Sequence, residues 1–313
     1  MLFSVLIANY NNSAYLETAL QSVITQTYTD WEVIIVDDGS EDNFEEVIMP
    51  YLPDVRISVY LNDKNMGCGF TKRMCAEKAN GLLMGFLDPD DALHADALKI
   101  MVESHINNPA CSLISSTHFI CDEMLQVKRI ADYPRPLPTG IPYLLLGDGR
   151  VHHFATFKKG CYEKTGGISA VNKKAVDQDL YYKLEETGSL FFINQPLYYY
   201  RIHAGSISNA GREGDAIRNH YAIIEEACLR RIKDLKDSSP SSKYWIKKYR
   251  TRYFKIRIFN SFRKGDWFVF LYSLLVFPFT GGIENLISYF KKLPREGLAL
   301  IRQSFINNYE IKP

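Results

Sequence analysis

The sequence predicts an α/β protein: a sheet of mainly parallel strands flanked by helices, followed by a helical C-terminal extension. Three observations carry this reading. Apolar, β-branched runs alternate with segments of helical periodicity in the N-terminal part of the chain. The runs end in clusters of Asn, Asp or Gly, and after residue 211 the strand pattern gives way to basic and apolar helical stretches. Alternation of this kind builds right-handed βαβ units and a largely parallel sheet.

The elements follow in order. "FSVLIANY" is a continuous apolar run suited to a strand covered on both faces, and "NNS" supplies cap residues for the helix "AYLETALQSVITQ", where Leu16, Ala19, Leu20 and Val23 recur at helical spacing. "WEVIIVDDGSED" repeats the strand-then-acid pattern, and "VRISVYLND" gives a third strand. "GFTKRMCAEKANG" reads as a helix closed by Gly81, and "LLMGFLDPDD" as a fourth strand. From about 95 to 150 the pattern loosens, with a helix in "ALKIMVESHINNP" and a surface loop in "YPRPLPTGIP". "HHFATFKKGCYEKTGGIS" and "AVDQDLYYKLEETG" give strand, turn and helix, with Asp177 and Asp179 in the first helical turn; "SLFFINQPLYYYRIHAGSIS" is a strand leading into a polar loop. The expected division is residues 1–210 and 211–313.

Composition excludes some partners. Lys and Arg number 37 against 36 Asp and Glu, so bulk charge argues against nucleic-acid binding. The cysteines at 68, 75, 111, 121, 161 and 228 contain no C-x-x-C pair, and no basic leader precedes the first strand; reduced thiols and a cytoplasmic location are the expectation. The apolar segment 267–279 is shorter than the roughly 20 residues a spanning helix needs. Its aromatic residues and basic neighbours leave three uses open: a buried helix, peripheral contact with the inner face of a membrane, or pairing with a second copy.

Ligands of such sheets bind beyond the carboxyl ends of the strands. Asn9-Tyr10-Asn11, Asp37-Asp38 and Asp88-Pro89-Asp90-Asp91 all fall at those ends, so three separate segments converge on one crevice. Like charges this close repel, and a divalent cation, Mg²⁺ or Mn²⁺, would resolve the conflict; acids favouring a helix N-terminus are the competing reading. Asp37-Asp38-Gly39-Ser40 suits contact with a ribose or base edge, or a helix cap. Phosphate-cradling glycine loops are missing, which points to a nucleotide held through a metal.

The ordered set "SVLIANYNNSAYLETALQSVITQTYTDWEVIIVDDGSEDN", "NMGCGFTKRMCAEKANGLLMGFLDPDD", "TGGIS…VDQDLYYKLEETG" and "YRIHAGSIS" resembles the inverting nucleotide-sugar glycosyltransferases of family two, which have the GT-A fold, over residues 2–209. The resemblance implies that Ala8, Tyr10 and Asp38 hold the base and ribose. Asp88 would touch the ribose or diphosphate, Asp90 would be the metal ligand of a D-x-D motif, and Asp91 would support it. Asp177 matches the catalytic base, although Val176 stands where the family usually has Glu; Asp179 is the fallback base or a structural support. His203 matches a position that in some relatives reaches the metal or diphosphate. Arg201 and Lys72 are candidates for phosphate, a solvated helix face being the plainer reading of Lys72. His152-His153 would line the acceptor pocket, and Gly166-Gly167 would let the backbone approach the donor sugar or acceptor. The implied reaction is transfer from a UDP-sugar to a hydroxyl of a glycan or lipid-linked glycan in bacterial surface polysaccharide assembly. A non-catalytic glycan-binding relative and a sugar-nucleotide pyrophosphorylase are the alternatives, the second lacking its glycine-rich basic loop here.

Overall fold

The computed structural model describes residues 1–147, 149–172, 174–204, 213–235 and 239–281. The chain divides into two compact units, Met1–Ile223 and Ile224–Pro313. The expected boundary near residue 210 falls within 205–212, outside the described residues.

In the first unit the order is β1 (Phe3–Asn9), α1 (Ser13–Ile24), β2 (Trp31–Asp37), α2 (Phe44–Ile48), β3 (Ile57–Leu61), α3 (Cys68–Lys78), β4 (Leu83–Phe86), β5 (Ala92–Leu93), α4 (Ala97–Asn107) and β6 (Cys111–Cys121). It continues through β7 (Val127–Ile130), α5 (Tyr143–Leu146), β8 (Ala155–Lys158), α6 (Lys159–Lys164), α7 (Val176–Glu185) and β9 (Ser189–Arg201). Helix α8 (Glu213–Asp234) leads into the second unit, which holds α9 (Pro240–Lys264) and α10 (Trp267–Gly281). Among the described residues no helix is long and apolar enough to cross a membrane.

The strands form one sheet in the order β3-β2-β1-β4-β8-β6-β9-β5, with β7 beside β6. β1 runs parallel to β2 and β4, and β2 parallel to β3. β8 is antiparallel to both β4 and β6, and β9 is parallel to β6. Two reversals restore direction, so β6 and β9 point the same way as β4. The carboxyl ends of β1, β2, β4 and β9 therefore lie on one rim, and the start of β8 meets them there. This is how Tyr10, Asp38, Asp88, His153 and His203, far apart in sequence, come to share an edge.

The core follows from periodicity. Leu16, Ala19, Leu20 and Val23 of α1 are fully buried against Val5, Ile7, Val33 and Ile35 of the sheet; burying each Leu or Val side chain contributes roughly 1.5–3 kcal/mol.

Three expectations are corrected. Asn12 makes no side-chain cap on α1; the Ser13 N–H instead donates to Asp42 Oδ2 at 2.9 Å, so the cap comes from the segment after β2. Gly81 does not close α3, which ends at Lys78; a Cβ at position 81 would lie 2.5 Å from Ser4 Oγ and 2.7 Å from its backbone nitrogen, so glycine is required by the approach to β1. The loosely patterned region 95–150 contains β6, an 11-residue strand buried along nearly its whole length. Its Ser, Thr and His residues disguised it. Most are tolerated because they find partners: Ser112 Oγ donates to the Leu184 carbonyl at 2.7 Å and Thr117 Oγ1 to the Ala131 carbonyl at 2.9 Å.

Candidate active site

At the shared rim the acids take different work. Asp91 is buried and accepts the Tyr198 hydroxyl at 2.7 Å and the Arg201 backbone N–H at 2.7 Å, tying the turn after β4 to β9. Asp90 faces the more open side with His203, whose Nε2 is 3.0 Å from Asp90 Oδ2. The His203 ring in turn packs on Tyr15, centroid to centroid 4.7 Å. Asp88 points toward Lys72 Nζ at 3.5 Å and His153 Nε2 at 4.0 Å.

Electrostatics register the crowding. Burial and the neighbouring Asp88 push the Asp90 carboxyl above its ordinary range despite the His203 ring. Burial, then Asp90 and Asp88, push Asp91 well above it. Both shifts mean that negative charge here is under-compensated, the condition a cation relieves.

Lys72 corrects the expectation of a solvated helix face. It is 6% exposed, and its ammonium lies 2.8 Å from Asp177 Oδ1 as well as near Asp88. Burial opposes charge on this amine, but Asp177 and Asp88 outweigh it and hold it well above its ordinary range. Asp177, in the first turn of α7, is thus fixed by an ion pair to α3 while its side chain keeps 37% exposure. Asp179, two residues on, is buried and pairs with Lys183 at 2.6 Å, and Lys183 also donates to the Gly167 carbonyl at 3.0 Å. Asp179 anchors the turn around Gly166-Gly167, both of which adopt positive φ.

Arg201 is spent on the backbone: Nε donates to the Asp90 carbonyl at 2.6 Å and Nη1 to the Glu123 carbonyl, with the guanidinium 4.6 Å over the Tyr15 ring. It shapes the loop that presents Asp90. Asp38 accepts from the backbone N–H of Met66 and Gly67 and from Asn62 Nδ2, each at 2.8 Å. Those three donors leave about one of a carboxylate's four acceptor positions for a ligand. Asp37 is turned inward to Asn9 and Ser40. Ala8 lies in β1 opposite Val36. Tyr10 is exposed and borders a cavity of about 620 Å³ lined also by Gly39, Ser40, Asn62 and Lys64; Asp88, Asp90 and Asp177 do not line it.

One group escaped the sequence reading almost entirely. His118, Tyr133, His152, His153, Tyr198 and Tyr200 form a continuous aromatic wall, with His153 stacked on Tyr198 at 4.9 Å and on Tyr200 at 5.5 Å. Burial pushes His152 and His153 down to about 3 and His118 down to about 4, so all three rings are neutral near pH 7. Only the His152-His153 pair was visible in advance, because the partners lie on β6, β9 and the loop after β7.

Among the described residues two donor sets could receive a divalent ion. Asp88, Asp91 and His153 place ligand atoms within 4.8 Å of one another. Asp90 and His203 offer a carboxylate oxygen and an imidazole nitrogen, 3.0 Å apart. In the first set Asp91 already accepts from Tyr198 and Arg201 and Asp88 lies beside Lys72; in the second the two groups are bonded to each other.

The sequence profile described as "Glycosyl transferase family 2" matches residues 4–178. The chain is 26% identical to chondroitin synthase of Escherichia coli over 267 residues, which is 85% of this chain and 36% of that protein; it thus corresponds to about a third of the relative's length. In fold it is similar to S. aureus TarS 1-349 in complex with UDP-GlcNAc, with a TM-score of 0.65 at 18% identity over 88% of this chain and 80% of that one. It is also similar to the mannosyltransferase PcManGT from Pyrobaculum calidifontis in complex with GDP-Man and Mn²⁺, with a TM-score of 0.56 at 14% identity over 99% of this chain and 88% of that one.

Proposed function

Because the chain belongs to glycosyl transferase family 2 and has the GT-A fold, we propose that it transfers a sugar, with inversion, from a UDP-sugar to a hydroxyl of a glycan or lipid-linked glycan in surface polysaccharide synthesis. The observation that carries this reading is the meeting of Asp88 with Asp177 across the buried ammonium of Lys72, with the Asp90–His203 pair beside Asp88. The UDP-GlcNAc complex of the TarS structure supports the choice of donor, and the kinship with chondroitin synthase supports the choice of acceptor.

Asp90 and His203 would hold Mn²⁺ or Mg²⁺, with Asp88 turned to the ribose or diphosphate. Such an ion neutralises the charge that gathers on the departing diphosphate. The Asp177 carboxylate accepts the proton of the acceptor hydroxyl, whose oxygen attacks the anomeric carbon from the face opposite the diphosphate. The bond from that carbon to the phosphate oxygen breaks, and its electron pair leaves with the nucleotide. Lys72 holds Asp177 in place through their ion pair, a part different from the phosphate contact for which it was a candidate. Tyr10 and the remaining acceptor position of Asp38 serve the base and ribose. The aromatic wall around His153 forms the acceptor side, its neutral rings offering sugar hydroxyls both donors and acceptors.

A ligand that binds only the folded state raises its apparent stability. UDP with Mn²⁺ should therefore raise the melting temperature more than GDP with Mn²⁺, and UDP without metal should do little. An equal response to GDP would remove the uridine assignment, and a full response in chelator would remove the metal.

A further inference from the structure

Helix α10 contains no charged residue over Trp267–Gly281. Phe270 and Phe277 are buried against Ile258 of α9, with Phe254, Phe262, Trp267 and Leu274 packed around them. The opposite side is bare: Phe268 is 82% exposed, Leu275 72% and Phe279 90%, with Leu271 and Tyr272 more than half exposed. At 3.6 residues per turn these five side chains fall within an arc of about 100°. An apolar stripe of this kind facing water is costly and marks an interaction surface.

The charge beside it says what kind. Helix α9 carries nine Lys and Arg and no acid over Pro240–Lys264. Its contacts to α10 come from Phe254, Ile258 and Phe262, in the later turns, whereas Lys243, Lys247, Lys248 and Arg250 of the earlier turns are exposed. A bare aromatic and aliphatic stripe coupled to a purely cationic helix matches a surface that is apolar beneath and anionic on top.

We propose that the α9–α10 hairpin docks on an anionic lipid bilayer, with Phe268, Leu275 and Phe279 entering the acyl boundary and the α9 lysines meeting lipid phosphates. The hairpin would lie along the surface, since over the described residues α10, Trp267–Gly281, is shorter than a spanning helix.

Flotation of the full chain with vesicles tests this. The protein should float with vesicles of equal phosphatidylglycerol and phosphatidylcholine and largely stay behind with phosphatidylcholine alone. Combined Phe268→Ser, Leu275→Ser and Phe279→Ser should lower the floated fraction about tenfold with an unchanged circular dichroism spectrum. Should that variant misfold, Lys243→Gln with Lys247→Gln and Lys248→Gln, all exposed, should still abolish the preference for anionic vesicles. Failure of the wild-type chain to float, or equal flotation of the lysine variant, overturns the proposal. So does a dimer that the triple-serine variant converts to monomer while neither form floats, since the stripe would then belong to a second copy.

Discussion

Asp177→Asn lowers the transfer rate by about 10²–10⁴-fold, the usual worth of a positioned general base, while leaving donor binding intact. The substitution is nearly isosteric. The asparagine carbonyl can still accept from Lys72 Nζ, now 2.8 Å from Asp177 Oδ1, and Lys72 keeps Asp88 at 3.5 Å, so the buried amine is not stranded. What disappears is the basic oxygen. Initial rates with a UDP-sugar and a glycan acceptor, set beside the donor-induced rise in melting temperature of the same variant, separate the two effects. A variant transferring at near wild-type rate would remove Asp177 from the chemistry and leave it as a partner of Lys72.

Asp90→Ala abolishes the metal-dependent part of donor binding and lowers transfer by about 10²–10³-fold, the scale of removing one electrostatic stabiliser of developing negative charge. Its effect on the unliganded protein is expected to be smaller than that of most substitutions of a hydrogen-bonded, partly buried residue. Asp90 sits under-compensated between Asp88 and Asp91, both of which it repels. Removing it relieves that repulsion, so the melting temperature without ligand should change little. Calorimetric titration of UDP in the presence of Mn²⁺, paired with the melting curve of the apoprotein, distinguishes loss of a ligand from loss of fold. Retention of the manganese response would exclude Asp90 as the metal ligand and favour the Asp88, Asp91 and His153 group.

Much of the rim was legible in the sequence because strand ends are local events. A strand stops where apolar residues stop, and Asp38 and Asp88 follow such stops directly. The Lys72–Asp177 pair was not legible in that way: its members are 105 positions apart, and nothing in either helix announces that a lysine will turn inward. Strand β6 was hidden for another reason. Periodicity registers hydrophobicity, whereas Ser112, Ser116, Thr117 and His118 are polar residues made compatible with burial by hydrogen bonds to backbone and side-chain groups far along the chain. The aromatic wall inherits that blindness, since it assembles only once β6 lies between β8 and β9. Arg201 shows the converse, a residue type that suggests phosphate but whose Nε and Nη1 hold the Asp90 turn, an arrangement no local pattern announces.

The central claim is that the acids at the rim, with His203, hold a cation against the donor's diphosphate. Crystals grown with Mn²⁺ and UDP, measured near the manganese absorption edge, test it most directly. An anomalous peak between Asp90 Oδ2 and His203 Nε2, in contact with the diphosphate, is the expected result. UDP bound at the rim with no peak there, the Asp90–His203 pair still closed at 3.0 Å, would contradict it.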